Sequence, residues 1–330
     1  MRFVPAILSL MVLGLMVSVS AGLAQQASTP PETRSVIVNV LDRHGTPIRD
    51  LTKDNFVARV DGKPVQVLDA QYSVAPRRIV VLLDVSGSMA VGKGKWQVAR
   101  GAVDRLLSQT PSGVPIAMII FAGKVRDTFN FVQGRGGITE WMNGTSNQVQ
   151  ASLKYPEGRT AFYDATLEAL KLLKPPQYGD AIYAITDGGD NASHASWSST
   201  RTALLQAGTR LFGFLLAESL PTPEEREGTD LFLQMVEESG GFAFGIAGQH
   251  RPQGASWDFD YVYDKGNQDK VKAYSQELNV QVQGFWTLQL AAQPSSRQSK
   301  LALDVVDASG KVKNKDLMLT YPRLLPAAKN

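Results

Sequence analysis

The 330-residue sequence contains no cysteine and only three histidines, His44, His194 and His250. Without cysteine there is no disulfide, thiolate nucleophile, iron–sulfur cluster or cysteine zinc site. The histidines are scattered and form no HExxH motif or i, i+4 pair. The sequence therefore does not favour a histidine zinc centre or a Ser-His triad. The formal net charge is only +3 and dense lysine or arginine blocks are missing, so nucleic-acid binding is not expected.

Long apolar runs are also scarce, and the one of near-spanning length lies at the N-terminus. Arg2 precedes an apolar run from Val4 to Val19, and a stretch of mostly small residues ends at Ala24. This layout predicts a cleaved secretory signal over residues 1–24, followed by a linker over residues 25–34. An uncleaved membrane anchor is the alternative. We therefore expect a periplasmic or secreted bacterial protein without a membrane span in its mature chain.

Two parts of the chain show the alternation of apolar and polar residues that is typical of half-buried strands. Residues 35–74 contain Val36, Val38 and Val40 and a hairpin signal at Asp61-Gly62. Residues 275–324 show the same alternation. Neither set of short strands buries its apolar face alone, so we expect the two to pack together as one smaller β-rich unit.

Between them, residues 77–250 alternate buried-strand and helix patterns. Continuous apolar runs predict strands buried on both faces, and apolar residues at helical spacing lie between them. The predicted strands are Ile79–Leu83, Pro115–Phe121, Ala181–Ile185, Arg210–Leu216 and a short one in Gly240–Phe244, and the helical patterns are Trp96–Leu107, Leu167–Leu173 and Leu231–Val236. The sequence therefore predicts an α/β fold with a doubly wound, mostly parallel sheet and right-handed crossovers.

The segment Asp84–Ser88, with the sequence DVSGS, directly follows the first of these strands. Asp84 therefore lies at the carboxyl edge of the sheet, where doubly wound folds bind ligands. Ser86 and Ser88 follow at i+2 and i+4, and a tight turn at Gly87 directs the three side-chain oxygens toward one point. Such hard oxygen ligands suit Mg²⁺, Mn²⁺ or Ca²⁺ rather than zinc. By itself the segment is equally compatible with a cap for the following helix.

Two further segments fall at compatible places in the alternation. Thr160, within Gly158–Ala165, precedes a predicted helix, and it is alternatively the N-cap of that helix. Asp187 directly follows the third strand, at the same sheet edge as Asp84. Asp190 lies further along that loop and is predicted to be a solvated turn residue. Because Thr160 and Asp187 add oxygen ligands, a divalent-cation site becomes the preferred interpretation.

Taken in order, the sequences DVSGS, GRTAFYDA and ITDG resemble the von Willebrand factor type A domain, whose cation site is called the metal-ion-dependent adhesion site. The resemblance covers roughly Arg77 to Ile246, including the strand–loop context that the motifs require. Residues 36–68 resemble more loosely the N-terminal part of exported bacterial proteins called VWFA-related. One departure is Arg159, where the family often has glycine. It either assists an acidic ligand or is a solvated loop residue.

The resemblance also implies a role for each site residue. Ser86 and Ser88 coordinate the ion directly, and Thr160 does so directly or through water. Asp84 and Asp187 act largely through waters and hydrogen bonds. Because the direct ligands are mostly neutral, this arrangement favours an anionic oxygen from outside, typically an Asp or Glu of a partner protein.

We therefore expect a binding module, not an enzyme, that captures an acidic group of a protein partner through Mg²⁺, Mn²⁺ or Ca²⁺. One alternative is a hydrolase that uses a metal-bound water. It lacks an obvious base, because neither His194 nor Glu157 is placed beside the ion by the sequence. Another alternative is a structural domain whose β-rich unit is the real interface.

Overall fold

The computed structural model describes residues 32–75, 77–90, 94–144, 158–217, 223–247, 249–250, 259–260, 265–292 and 295–328. The predicted signal segment and most of the predicted linker lie outside the described residues. The strands are β1 (Glu32–Leu41), β2 (Phe56–Val60), β3 (Lys63–Val65), β4 (Val67–Val74), β5 (Ile79–Asp84), β6 (Ile116–Phe121), β7 (Val125–Phe129), β8 (Ala181–Thr186), β9 (Arg210–Ala217), β10 (Ala243–Ala247), β11 (Gln249–His250), β12 (Phe259–Asp260), β13 (Gly284–Ala292), β14 (Ser299–Val305), β15 (Met318–Thr320) and β16 (Leu324–Leu325). The helices are α1 (Lys95–Gln109), α2 (Gly134–Asn143), α3 (Phe162–Leu172), α4 (Trp197–Ala207), α5 (Pro223–Ser239) and α6 (Lys265–Gln283).

Six strands form the central sheet in the order β10-β9-β8-β5-β6-β7. All neighbouring pairs are parallel except β6 and β7, which form an antiparallel hairpin at one edge. Starting from β5, the chain therefore adds β6 and β7 on one side of the sheet and then β8, β9 and β10 on the other. The predicted α/β class with a doubly wound, mostly parallel sheet is confirmed.

The buried strands of this sheet divide their side chains between two cores. In β5, Ile79, Val81 and Leu83 pack with residues of α1, α2 and α6, whereas Val80 and Leu82 pack on the opposite face with residues of α3 and α5. Successive strand residues point to opposite faces, so only a continuous apolar run fills both cores. Complete burial of each such side chain contributes about 1.5–3 kcal/mol.

The N- and C-terminal segments together build two four-stranded sheets around a third core. β1 pairs with β13, and β2 pairs with β14, both antiparallel. Trp286 lies in this core, edge-on to Tyr72 with ring centroids 5.5 Å apart, and its Nε1 donates to the Ile48 carbonyl at 2.9 Å. The expected smaller β-rich unit from the two ends of the chain is thus part of the confirmed fold class.

A buried arginine joins this unit to the α/β part. The Arg210 guanidinium lies over the rings of Phe212 and Phe285, at 5.2 and 5.1 Å from their centroids. Its Nη1 donates to Asn39 Oδ1 at 2.8 Å and to the carbonyl of Gln281, near the end of α6, at 3.0 Å. Burial, and secondly the nearby charge of Arg77, lower the pKa of Arg210 to about 9, so it stays cationic at neutral pH. A cation at a helix C-terminus is favourable.

Some predicted boundaries differ from the structure. Strand β1 begins at Glu32, inside the predicted linker, because Glu32 pairs with Ala292 across the sheet. The predicted start of the C-terminal β unit at 275 falls inside α6, which runs on to Gln283. The fifth parallel strand starts at Ala243 rather than Gly240, because the glycines at 240 and 241 end α5. Among the described residues, no helix combines the length and the apolar character needed to cross a bilayer.

Candidate metal centre

The candidate site lies where the strand order reverses. Strand β5 has β6 on one side and β8 on the other, both parallel to it. Asp84 is the last residue of β5, and Asp187 follows Thr186, the last residue of β8. The carboxyl ends of the two strands are therefore neighbours at the crevice where open α/β sheets bind ligands.

Asp84 is completely buried, and both its carboxylate oxygens accept hydrogen bonds. Oδ1 accepts from the Ser86 amide at 2.8 Å, and Oδ2 accepts from the Thr186 hydroxyl at 2.7 Å. The Thr186 hydroxyl in turn accepts from the Gly188 amide at 3.1 Å. Asp84 thus fixes the loop after β5 and the loop after β8 to each other.

The two serine hydroxyls lie side by side above this carboxylate. Ser86 Oγ and Ser88 Oγ are 3.1 Å apart, and residues 87–90 form a single 3-10 turn. Two neighbouring ligands in a Mg²⁺ octahedron, each about 2.1 Å from the ion, are about 3.0 Å apart. The spacing and the hard oxygen chemistry therefore fit a small divalent cation of the Mg²⁺ type.

The loop that carries Thr160 is hydrogen-bonded to both other loops. The Gly87 amide donates to the Gly158 carbonyl at 3.1 Å, which joins the Thr160 loop to residues 85–90, the serine loop. The Thr160 amide donates to Asn191 Oδ1 at 2.8 Å, and its carbonyl accepts from the amides of Asn191 and Ala192. Thr160 is buried between these contacts. All three predicted segments thus meet at one end of the sheet.

Asp187 is engaged by a buried lysine that the sequence reasoning missed. Lys95, the first residue of α1, has no exposed surface, and its Nζ lies 3.2 Å from Asp187 Oδ2 and 3.0 Å from the Ser88 carbonyl. The Asp187 side chain is only 12% exposed. The ammonium therefore joins the serine loop to the loop after β8.

The electrostatics of the centre are dominated by two close carboxylates. Burial, and secondly the charge of Asp187, raise the pKa of Asp84 to about 7, although the hydrogen bonds from Thr186 and Ser86 act in the opposite direction. Desolvation and a neighbouring like charge both disfavour the ionised form. A cation bound beside the two carboxylates would relieve this repulsion. Among the described residues, no three carboxylate or imidazole groups cluster in a way that could hold a metal.

Neither α1 nor α3 has the side-chain cap that was considered as an alternative role for the site residues. Helix α1 begins after Gly94, which has a φ of 87° and provides no side-chain cap. The N-cap of α3 is Ala161, again without a side-chain cap bond, so Thr160 does not fill that role. Arg159 is exposed next to Thr160, which fits either of the two roles expected for it.

The expectation for Asp190 is wrong. Its Oδ2 accepts from the amide of Tyr163, in the first turn of α3, at 2.8 Å and from the Ser193 hydroxyl at 2.6 Å. Asp190 therefore fixes the loop after β8 to the start of α3. Asp190 lies 27 positions from Tyr163 in the sequence, so no local pattern indicates this contact.

Glu157 and His194 are the two residues considered as the base of a hydrolase. Glu157 lies outside the described residues. His194 is 97% exposed, and its Nδ1 lies 3.0 Å from Asp164 Oδ2. The hydrogen bonds of the described residues connect His194 to Asp164 and not to the serine loop.

The comparison with protein families agrees with the motifs. Residues 79–189 match the model of the von Willebrand factor type A domain. The chain therefore contains a domain of this type, as the resemblance implied, and such domains are protein-interaction modules. No curated protein matches the chain.

Several solved structures are similar to the chain at low identity and low TM-score. BatB, a conserved hypothetical protein from Bacteroides thetaiotaomicron, is 18% identical, with 62% of this chain and 98% of that one covered and a TM-score of 0.42. The von Willebrand factor type A protein from Catenulispora acidiphila is 13% identical, with 93% and 76% covered and a TM-score of 0.41. The PilB minor pilin from Streptococcus sanguinis is 10% identical, with 62% of each chain covered and a TM-score of 0.41.

Proposed function

We propose that this protein is an exported binding module that captures an acidic group of a partner protein through a divalent cation. The five residues that would hold the cation are Asp84, Ser86, Ser88, Thr160 and Asp187. A bound Mg²⁺, or Mn²⁺ or Ca²⁺, supplies the positive charge that the carboxylate of the partner meets. The export part of the proposal rests on the apolar N-terminal segment described above.

One observation carries the proposal, namely the pair of hydroxyls of Ser86 and Ser88, 3.1 Å apart, in the loop whose Ser86 amide donates to the buried carboxylate of Asp84. Burial of the Asp84 carboxylate is costly, even with the hydrogen bonds that it accepts from Ser86 and Thr186. A cation bound by the hydroxyls offsets that cost. It also accounts for the joining of three loops at one point.

The charge balance favours an outside anion over a purely internal role. Both oxygens of Asp84 already accept hydrogen bonds, and Asp187 is paired with Lys95. The hydroxyls that face the ion are neutral. A dication held mostly by neutral oxygens keeps a strong attraction for a carboxylate at its open position.

The proposal assigns binding rather than catalysis. His194 is paired with Asp164 and exposed to solvent, and the proposed shell contains no group that would activate a nucleophile. A hydrolase and a β-unit interface are the other possible outcomes of the experiment below.

The test is a crosslinking pull-down from the native envelope with the full chain as bait. It is carried out in Mg²⁺ and in EDTA with the wild type, Ser86→Ala and the control Ser108→Ala, which changes an exposed serine of α1. We expect one partner that the wild type and the control retain in Mg²⁺ and lose in EDTA, and that Ser86→Ala does not retain. The candidate partner is then tested by blocking its carboxylates.

Retention of the partner in EDTA would support the β-rich unit as the interface and reject the metal bridge. Turnover of a generic phosphoester or peptide substrate that disappears in Asp187→Asn would reject the assignment as a pure binding module.

A further inference from the structure

We propose that Lys95 is an internal cation of the centre, whose charge weakens the binding of a divalent ion. In the cation-free protein it holds Asp187 and the serine loop together, and an incoming dication binds against its repulsion. The inference rests on the proposed function, because it concerns the same centre.

Two features of the position of Lys95 are energetically unfavourable for a charged side chain. Lysine is almost never fully buried unless it is paired, yet Lys95 has no exposed surface. It is also the first residue of α1, where the positive end of the helix dipole disfavours a cation. Two local preferences are thus violated at one residue, and such violations concentrate at functional sites.

The contacts of Lys95 show what compensates for this cost. Nζ lies 3.2 Å from Asp187 Oδ2 and donates to the Ser88 carbonyl at 3.0 Å. Ser88 belongs to the serine loop, and Asp187 follows the neighbouring strand. The ammonium thus connects the same two parts of the centre that a bound metal ion would connect.

A metal ion bound by the hydroxyls of Ser86 and Ser88 would lie near this ammonium, because Lys95 contacts the backbone of Ser88 itself. In a buried site the repulsion between a dication and an ammonium is only partly screened. Removal of the charge also frees Asp187 to turn toward the metal. Both effects strengthen metal binding when Lys95 is made neutral.

The experiment measures Mn²⁺ and Mg²⁺ affinity of the full chain by calorimetry, and Mn²⁺ binding also by electron paramagnetic resonance. Lys95→Met removes the charge with a similar length, and Lys95→Gln keeps a donor for the Ser88 carbonyl without charge. Lys95→Arg keeps the charge. We expect both neutral variants to bind at least about tenfold more tightly than the wild type, and Lys95→Arg to stay within about threefold of it.

An unchanged or weaker affinity in the neutral variants overturns the inference, because it would mean that Lys95 only positions Asp187. Circular dichroism melting establishes which variants fold, and Lys95→Gln serves if Lys95→Met does not. Addition of Ser86→Ala to the tighter variant should abolish the gain, which locates the ion at this centre.

The outcomes separate this inference from the proposed function. In one outcome the wild type binds the metal, Ser86→Ala abolishes the binding, and the neutral variants bind no more tightly. This outcome rejects the inference about Lys95 and supports the metal centre. Binding only in the neutral variants supports the inference and rejects metal-bridged capture by the wild type. Absence of binding in every variant rejects both.

Discussion

The buried carboxyl of Asp84 makes the stability of the cation-free protein depend on pH. Burial and the charge of Asp187 raise the pKa of Asp84 from 3.8 to about 7. Between these values the folded state holds more protons than the unfolded state. The contribution to stability is therefore fully present below about pH 4, and it is lost as the pH rises through about 7. A difference of about 3 pKa units corresponds to about 4 kcal/mol.

The substitution Asp84→Asn isolates this effect. Asparagine cannot ionise, and its side-chain oxygen still accepts from the Ser86 amide. In EDTA, we expect the free energy of unfolding of the wild type to fall by up to about 4 kcal/mol relative to the variant as the pH rises from about 4 to about 8. The assay is urea unfolding at a series of pH values, followed by tryptophan fluorescence. The difference between the two proteins cancels the titration of other groups.

The same unfolding experiment in Mg²⁺ provides a second comparison of the wild type with Asp84→Asn. A cation that binds only the folded wild type stabilises it by mass action, and the variant should gain far less. The wild type is thus expected to be the less stable protein in EDTA at alkaline pH and to recover in Mg²⁺. Parallel stability profiles of the two proteins across the pH range, in both conditions, would refute the reasoning about Asp84.

Two further predictions concern the packing around the start of β9. Asn39→Ala removes three buried hydrogen bonds, which join β1 to β9, to Gln281 near the end of α6 and to Gly284 at the start of β13. It should lower the free energy of unfolding by at least about 3 kcal/mol, whereas Asn143→Ala at an exposed position should change it by less than about 0.5 kcal/mol. In Gly241→Ala the new Cβ would lie 1.8 Å from the Leu211 carbonyl oxygen, so we expect a loss of about 3 kcal/mol or more. Gly113→Ala, where nothing lies within 4 Å, is the control. Urea unfolding measures all four variants, and equal effects in a variant and its control would contradict the packing argument.

The parallel strands were predictable because a strand that is buried on both faces has apolar residues at successive positions. Strands β5, β6 and β8 are completely buried, and each is a continuous apolar run except for the last residue of β5, Asp84, and of β8, Thr186. Strand β7 was missed because its three central residues are exposed at the sheet edge. Helix α6 was missed at residues 275–283, where polar residues outnumber the apolar ones that pack on the sheet at Leu278 and Val282.

The proximity of Asp84 and Asp187 was predictable from the strand ends, since carboxyl ends of neighbouring parallel strands must meet. Lys95 was not, because it lies in a segment rich in glycine and lysine, GKGK, that resembles a solvated loop. Its buried ammonium pairs with Asp187, 92 positions further along the chain. Arg210 and Asn39 are also brought together only by the tertiary fold. Contacts of this kind leave no local pattern.

The most direct test of the metal centre is titration of Mn²⁺ into the wild type and Ser86→Ala at neutral pH, followed by calorimetry. Ser86 is the residue to change because its hydroxyl is a proposed direct ligand while its backbone amide, which binds Asp84, is retained. We predict that the wild type binds a single ion per chain and that Ser86→Ala, with unchanged circular dichroism, does not. Equal stoichiometry and affinity in the two proteins would contradict the assignment of this centre.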